Sequence, residues 1–219
     1  MNSSSDNGNK YPRLLFPNVY SFAPNRDTLG GTAYFLTHPE GNILIDCPWW
    51  EDPHTINFLR TQGGVRWLYV TNRSAIGKRI PQWQAELGFT VVIQEQEAYL
   101  LPEAEVKSFS QELSLATGLT GIWCCGFSPG TSCLHYQSEE GGLLFSGRHL
   151  LPDVQGKLSL IKTAKTFHWP RQQQSLSKLR DRFACSSLTH IFPGANTGFL
   201  RGQGFYQDGY QHLEAISIT

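Results

Sequence analysis

The chain is 219 residues long, 40% hydrophobic and 16% charged, which is enough for one domain with a substantial core. Its 18 Lys+Arg balance 18 Asp+Glu, so bulk charge directs it neither to nucleic acid nor to an anionic membrane surface. No apolar run approaches the ~18 residues of a membrane helix, so no membrane insertion is expected and the expected setting is soluble and cytoplasmic.

Residues 1–10 are Ser/Asn/Gly-rich without an apolar run and are expected to form a disordered lead-in to a single domain over residues 11–219. Two strands then read easily, Thr32 to Thr37 and Asn42 to Asp46, joined by His38-Pro39-Glu40-Gly41. Asp52-Pro53 opens a helix with Ile56, Phe58 and Leu59 on its apolar side. Trp67 to Val70 is a short apolar run of buried-strand type. Pro81 to Leu87 reads as a helix closed by Gly88, and Thr90 to Ile93 as another buried strand.

The second half is richer in hairpins. Leu119 to Cys125, Ser132 to Tyr136 and Gly142 to Ser146 are strand candidates. Pro170 starts a helix, Arg171 to Phe183, with Leu176, Leu179 and Phe183 at helical spacing. Its Arg171, Lys178, Arg180 and Arg182 read as a solvated face. Ser187 to Phe192 is a final strand stopped by Pro193-Gly194, and 198–219 is aromatic and irregular. Five cysteines without a Cys-x-x-Cys spacing argue against a disulfide framework and against a structural zinc site.

Several turns carry a resemblance. Ile43-Leu44-Ile45-Asp46-Cys47 places an aspartate at a strand end; Val70-Thr71 leads into Asn72-Arg73-Ser74-Ala75-Ile76-Gly77; Gly126-Phe127-Ser128-Pro129-Gly130 is followed by Ser146-Gly147-Arg148, and Ile191-Phe192-Pro193-Gly194-Ala195 closes the series. In this order they resemble the motifs of the metallo-β-lactamase superfamily, which implies a four-layered αββα sandwich of the α/β class. In that family the second motif reads Thr-His-x-His-x-Asp-His, the third Gly-His-Thr-Pro-Gly, the fourth Gly-Asp and the fifth Leu-Pro-Gly-His. Asp46 matches well, as an acid that holds the metal-binding loop. Asn72, Ser74, Phe127, Arg148 and Ala195 stand where the resemblance implies coordinating side chains.

A catalytic metal needs several His, Asp or Cys donors and an open position for water. None of these five residues supplies one, so no metal and no cofactor are expected, and Arg148 adds positive charge where a bridging carboxylate belongs. The scaffold without its ligands implies a non-catalytic protein that binds a partner protein or a small anionic ligand at the edge of the old site.

Arg73, Ser128, Arg148, His149 and Asn196 are the candidates for an anion pocket. The competing reading pairs Arg148 with Asp46 in a salt bridge. Trp49-Trp50, in a proline-flanked loop, are candidates either for partner binding or for sealing the pocket. Two rival functions follow: a hydrolase of esters or phosphoesters using His149 and neighbouring groups as a non-standard site, with or without a relocated metal, and a structural subunit anchored by Trp49 and Trp50. Cys47 as a nucleophile is weighed against a small buried residue in a tight turn, and the latter is favoured.

Overall fold

The computed structural model describes residues 11–184 and 187–218. The expectation of a disordered lead-in over residues 1–10, and one of the five cysteines, Cys185, lie outside them. Strands β1 (Arg13–Phe16), β2 (Val19–Ser21), β3 (Tyr34–Leu36), β4 (Ile43–Ile45), β5 (Trp67–Val70), β6 (Thr90–Gln94) and β7 (Val106–Phe109) form one sheet in sequence order. It is antiparallel from β1 to β4 and parallel from β4 to β7. The parallel steps are bridged by helices α1 (Pro53–Thr61) and α2 (Ile80–Leu87) and by the short α3 (Glu95–Ala98).

The second sheet is built from β8 (Glu112–Ala116), β9 (Leu119–Trp123), β10 (Ser132–Ser138), β11 (Gly141–Gly147), β14 (His190–Pro193) and β15 (Tyr206–Gln207). A separate hairpin, β12 (Leu151–Pro152) with β13 (Leu158–Ser159), follows β11. Helices α4 (Trp169–Arg182) and α5 (Gly209–Glu214) complete the chain.

Side-chain alternation along the strands sorts the core into three sheets of packing. Ile43, Ile45, Trp67 and Tyr69 face the second sheet, where they meet Leu134, Leu143, Phe145 and Phe192. Leu44, Leu68 and Val70 point the other way, onto Ile56 and Leu59 of α1 and Ile80 of α2. On the far side, Leu144 and Ile191 pack on Leu176 and Leu179 of α4 and Leu213 of α5. Helix, sheet, sheet and helix are therefore stacked in four layers. The α/β sandwich expected from the turns is the observed architecture.

The helices begin where capping chemistry lets them. Asp52 accepts the N–H of His54 at 3.0 Å, and Pro53 occupies the first turn of α1, where its missing N–H costs nothing. At α4, His168 Nδ1 accepts the Arg171 N–H at 3.2 Å, so the helix starts at Trp169, ahead of the expected Arg171. Gln172, Ser175, Leu176 and Leu179 form its buried stripe.

Some elements were not legible beforehand. β1, β2, β7 and β8 have mixed exposure, and β8 runs Glu-Leu-Ser-Leu-Ala, so their apolar content is diluted by polar residues facing out. The stretch after Gly198 is ordered as β15 and α5. The basic residues of α4 are not a simple solvated face. Arg180 donates to the backbone oxygens of Leu213 (3.0 Å), Glu214 (2.9 Å) and Ile216, fastening the end of α5 and the irregular chain after it, while Arg182 pairs with Glu112 of β8.

Candidate functional site

Asp46, Thr71, Phe127, Arg148 and Ala195 all sit in loops that follow strands and converge at one edge of the sandwich. Two glycines explain how closely these loops meet. A Cβ on Gly147, whose φ is +53°, would lie 2.4 Å from Thr71 Oγ1. A Cβ on Gly194 would lie 2.8 Å from the Gly147 backbone, and the Gly194 N–H donates to Gly147 O at 2.8 Å. The ends of β5, β11 and β14 are thus in direct contact because no side chains separate them.

Asp46 adopts φ +61° and turns its carboxylate onto Thr71. Oδ1 accepts the Thr71 N–H at 2.8 Å and Oδ2 accepts the Thr71 hydroxyl at 2.8 Å. Asn72 Nδ2 donates to Thr71 Oγ1 at 2.9 Å, and Asn72 Oδ1 caps the following turn by accepting the Ser74 N–H at 2.9 Å. Burial pushes the Asp46 carboxyl up to about 6, against the two Thr71 hydrogen bonds and the nearby Arg148 charge, which pull it down.

Arg148 does not form the expected ion pair with Asp46. Its guanidinium donates instead to the backbone oxygens of Thr28 (3.0 Å) and Leu29 (2.8 Å), and so ties the loop between β2 and β3 to the site. The same loop is anchored on its other side by Asn25 Nδ2, which donates to Cys47 O (3.1 Å) and Pro48 O (3.0 Å). Below the guanidinium, 5.8 Å from it, lies the ring of Phe127, only 5% exposed. Phe127 takes this place because Gly126, at φ +154°, lets its loop press against α4; a Cβ there would meet Gln172 at 2.2 Å.

The residues proposed for an anion pocket are dispersed. Arg73 pairs with Glu97 at 2.9 Å, and Asn196 donates to Pro152 O at 3.2 Å. Ser128 is buried and exchanges hydrogen bonds with Thr131. His149 is 0% exposed, its two ring nitrogens have no hydrogen-bond partner, and burial pushes its pKa down to about 3. A side chain so placed reaches no substrate, and the hydrolase reading through His149 loses its base. Cys47 is likewise enclosed, its thiol pushed up to about 12 by burial, where the nucleophilic thiolate is not formed.

The two tryptophans separate. Trp50 is 5% exposed and stacks on Trp83 (5.4 Å) and Phe89 (6.2 Å) in the layer below α1 and α2, which removes it as a partner anchor. Trp49 is 41% exposed and lines a cavity of about 480 Å³ with Phe22, Ala23, Pro24 and Arg26.

The side chains at the edge do not fit a metal centre. Among the described residues, no group of three or more His, Cys, Asp or Glu is placed to hold an ion. The Asp46 carboxylate has both oxygens occupied by Thr71, and the nearby Glu97 is paired with Arg73 at 2.9 Å. Among the described residues no helix is long and apolar enough to cross a membrane.

No protein-family model and no curated protein matches the chain. Solved structures do. The DIM-1 metallo-β-lactamase superposes with a TM-score of 0.67 at 13% identity, covering 93% of this chain and 97% of that one. The MIM-1 metallo-β-lactamase from Novosphingobium pentaromativorans gives 0.63 at 15%, over 94% and 86%. A quorum-quenching N-acyl homoserine lactone lactonase gives 0.56 at 15%, over 74% and 78%. At these identities the likeness is one of fold: the chain has the metallo-β-lactamase fold.

Proposed function

We propose that this chain is a metal-free, non-catalytic form of the metallo-β-lactamase fold that acts by binding, at the edge of the ancestral site, a partner protein or a small anionic ligand. One observation carries the reading: Phe127 and Arg148 fill the place where the loops converge, and Arg148 fastens the β2–β3 loop across it. A hydrolase of this type needs an open coordination position and a water poised on it. A buried phenyl ring beneath a guanidinium offers neither. Fold alone does not carry activity, so the hydrolase names of the structural neighbours stay with those proteins.

The test is elemental analysis of untagged protein expressed in medium supplied with zinc, iron and manganese. Substoichiometric metal throughout is the expected result. One equivalent of any of them, retained through dialysis against chelator and lost on replacing residues of this edge, would overturn the reading.

A further inference from the structure

A cavity of about 340 Å³ opens between the β1–β2 hairpin and the loop that follows β14, a volume in the range of small-molecule sites. Its floor is tied to the edge of the ancestral site. The Thr32 N–H donates to Gly194 O at 2.9 Å, and the Tyr34 hydroxyl donates to Pro193 O at 2.7 Å. Leu15, Phe22 and Pro24 give apolar walls, no carboxylate lines the space, and its only charged side chain is that of Arg13. Arg13 Nη2 donates to Gly202 O at 2.7 Å, which holds the guanidinium in place. Among the described residues it makes no other hydrogen bond and no ion pair. The lining hydroxyls add to this surplus of donors. Those of Thr32 and Thr197 lie 3.0 Å apart, and such a pair shares one hydrogen bond, so one of its two protons has no acceptor among the described residues. Thr32 is only 3% exposed. The Ser21 hydroxyl, on the same cavity wall, has no described partner either.

We propose that this cavity binds a small polyhydroxylated monocarboxylate, of the sugar-acid class, with its carboxylate on Arg13 and its hydroxyl oxygens accepting from Ser21 and from the Thr32–Thr197 pair. A single cation with no acid beside it suits a single negative charge, and the planar guanidinium matches a carboxylate through paired N–H donors. A purely apolar ligand body would leave the hydroxyl protons unpaired in a closed space, which costs affinity, so oxygens must continue along the ligand. The proposal rests on the binding reading above and deepens it, by naming the ligand class and placing the site against the loop that carries Gly194.

Isothermal titration calorimetry of the full chain with gluconate, with neutral sorbitol and with hexanoate tests it. The expected result is saturable binding of one gluconate per chain, with sorbitol and hexanoate each about tenfold weaker. Arg13→Gln should bring gluconate down to the level of sorbitol. Ser21→Ala should weaken gluconate about fivefold and leave hexanoate unchanged. A Cβ on Gly198, which lines the cavity, would meet no atom within 4 Å, so Gly198→Phe fits the fold and fills the space. It should abolish gluconate binding at an unchanged melting temperature. Equal affinity for gluconate and sorbitol, gluconate binding that survives Gly198→Phe or is untouched by Arg13→Gln, or no binding at all overturns the proposal. Stoichiometric metal in the same preparation would instead sink the metal-free reading and leave the cavity standing, so the two failures are distinguishable.

Discussion

The Asp46 carboxylate accepts both hydrogen bonds that Thr71 can donate to it, from the backbone N–H and from the hydroxyl, each at 2.8 Å. The acid that ends β4 is thereby bound to the residue that follows β5, across the parallel pair formed by these two strands. This link, together with the Gly147 and Gly194 contacts, holds the loop edge in shape.

A pH dependence follows from it. In the folded chain Asp46 titrates at about 6, above its ordinary value of 3.8, because burial disfavours the charged form. The stabilisation from holding its proton is complete below pH 3.8 and lost as pH rises through 6, a change on the order of 3 kcal/mol. Asp46→Asn cannot titrate. Its stability relative to the native chain should therefore improve between pH 4 and pH 7, as measured by urea unfolding at each pH. A difference that stays flat across that range would show the carboxyl is not buried as described.

His149 has the opposite sign. Its folded value is lowered to about 3 from 6.5, so its contribution is present above pH 6.5 and declines as pH falls towards 3. Both ring nitrogens are buried without partners. His149→Leu removes two unsatisfied polar atoms at similar volume, and should be neutral to stabilising by about 1 kcal/mol at pH 7. It should also flatten the loss of stability below pH 6. A destabilisation of several kcal/mol would mean that the ring has bonding partners.

Arg148→Met removes the donors to Thr28 and Leu29 while keeping most of the side-chain volume over Phe127. The β2–β3 loop should loosen. Amide exchange at Gly30 and Gly31, whose N–H groups are bonded within that loop, should speed up about tenfold, with a small change in global melting temperature. Unchanged exchange at those amides would rule out the fastening role.

The adjacent tryptophans should respond very differently to truncation. Trp50→Ala empties a buried stack and should cost about 3–5 kcal/mol. Trp49→Ala, at the surface, should change stability by less than about 1 kcal/mol. Similar large losses at both positions would mean that Trp49 is part of the core.

Much of the architecture is written in local pattern. Trp67 to Val70 reads as a strand because four consecutive apolar residues face helices on one side and a second sheet on the other, and β5 covers those four residues. The capped starts at Asp52 and Pro170 announce α1 and α4 for similarly local reasons. The β1–β2 and β7–β8 regions were hidden because their strands are partly exposed and carry polar residues.

What the sequence alone determined was the layered fold and the chemistry of the edge, because turn residues and side-chain identities are local facts: phenyl, guanidinium and methyl groups do not become metal donors in any conformation. The tertiary structure decided partners. Arg148 lies within the electrostatic reach of Asp46, yet it spends its N–H groups on the carbonyls of a loop about 120 residues earlier in the chain. Neighbouring Trp49 and Trp50 part company at the boundary between core and solvent. Which acceptor an arginine finds, and which of two adjacent rings is buried, depends on segments brought together only when the sheets stack, and no local pattern encodes that choice.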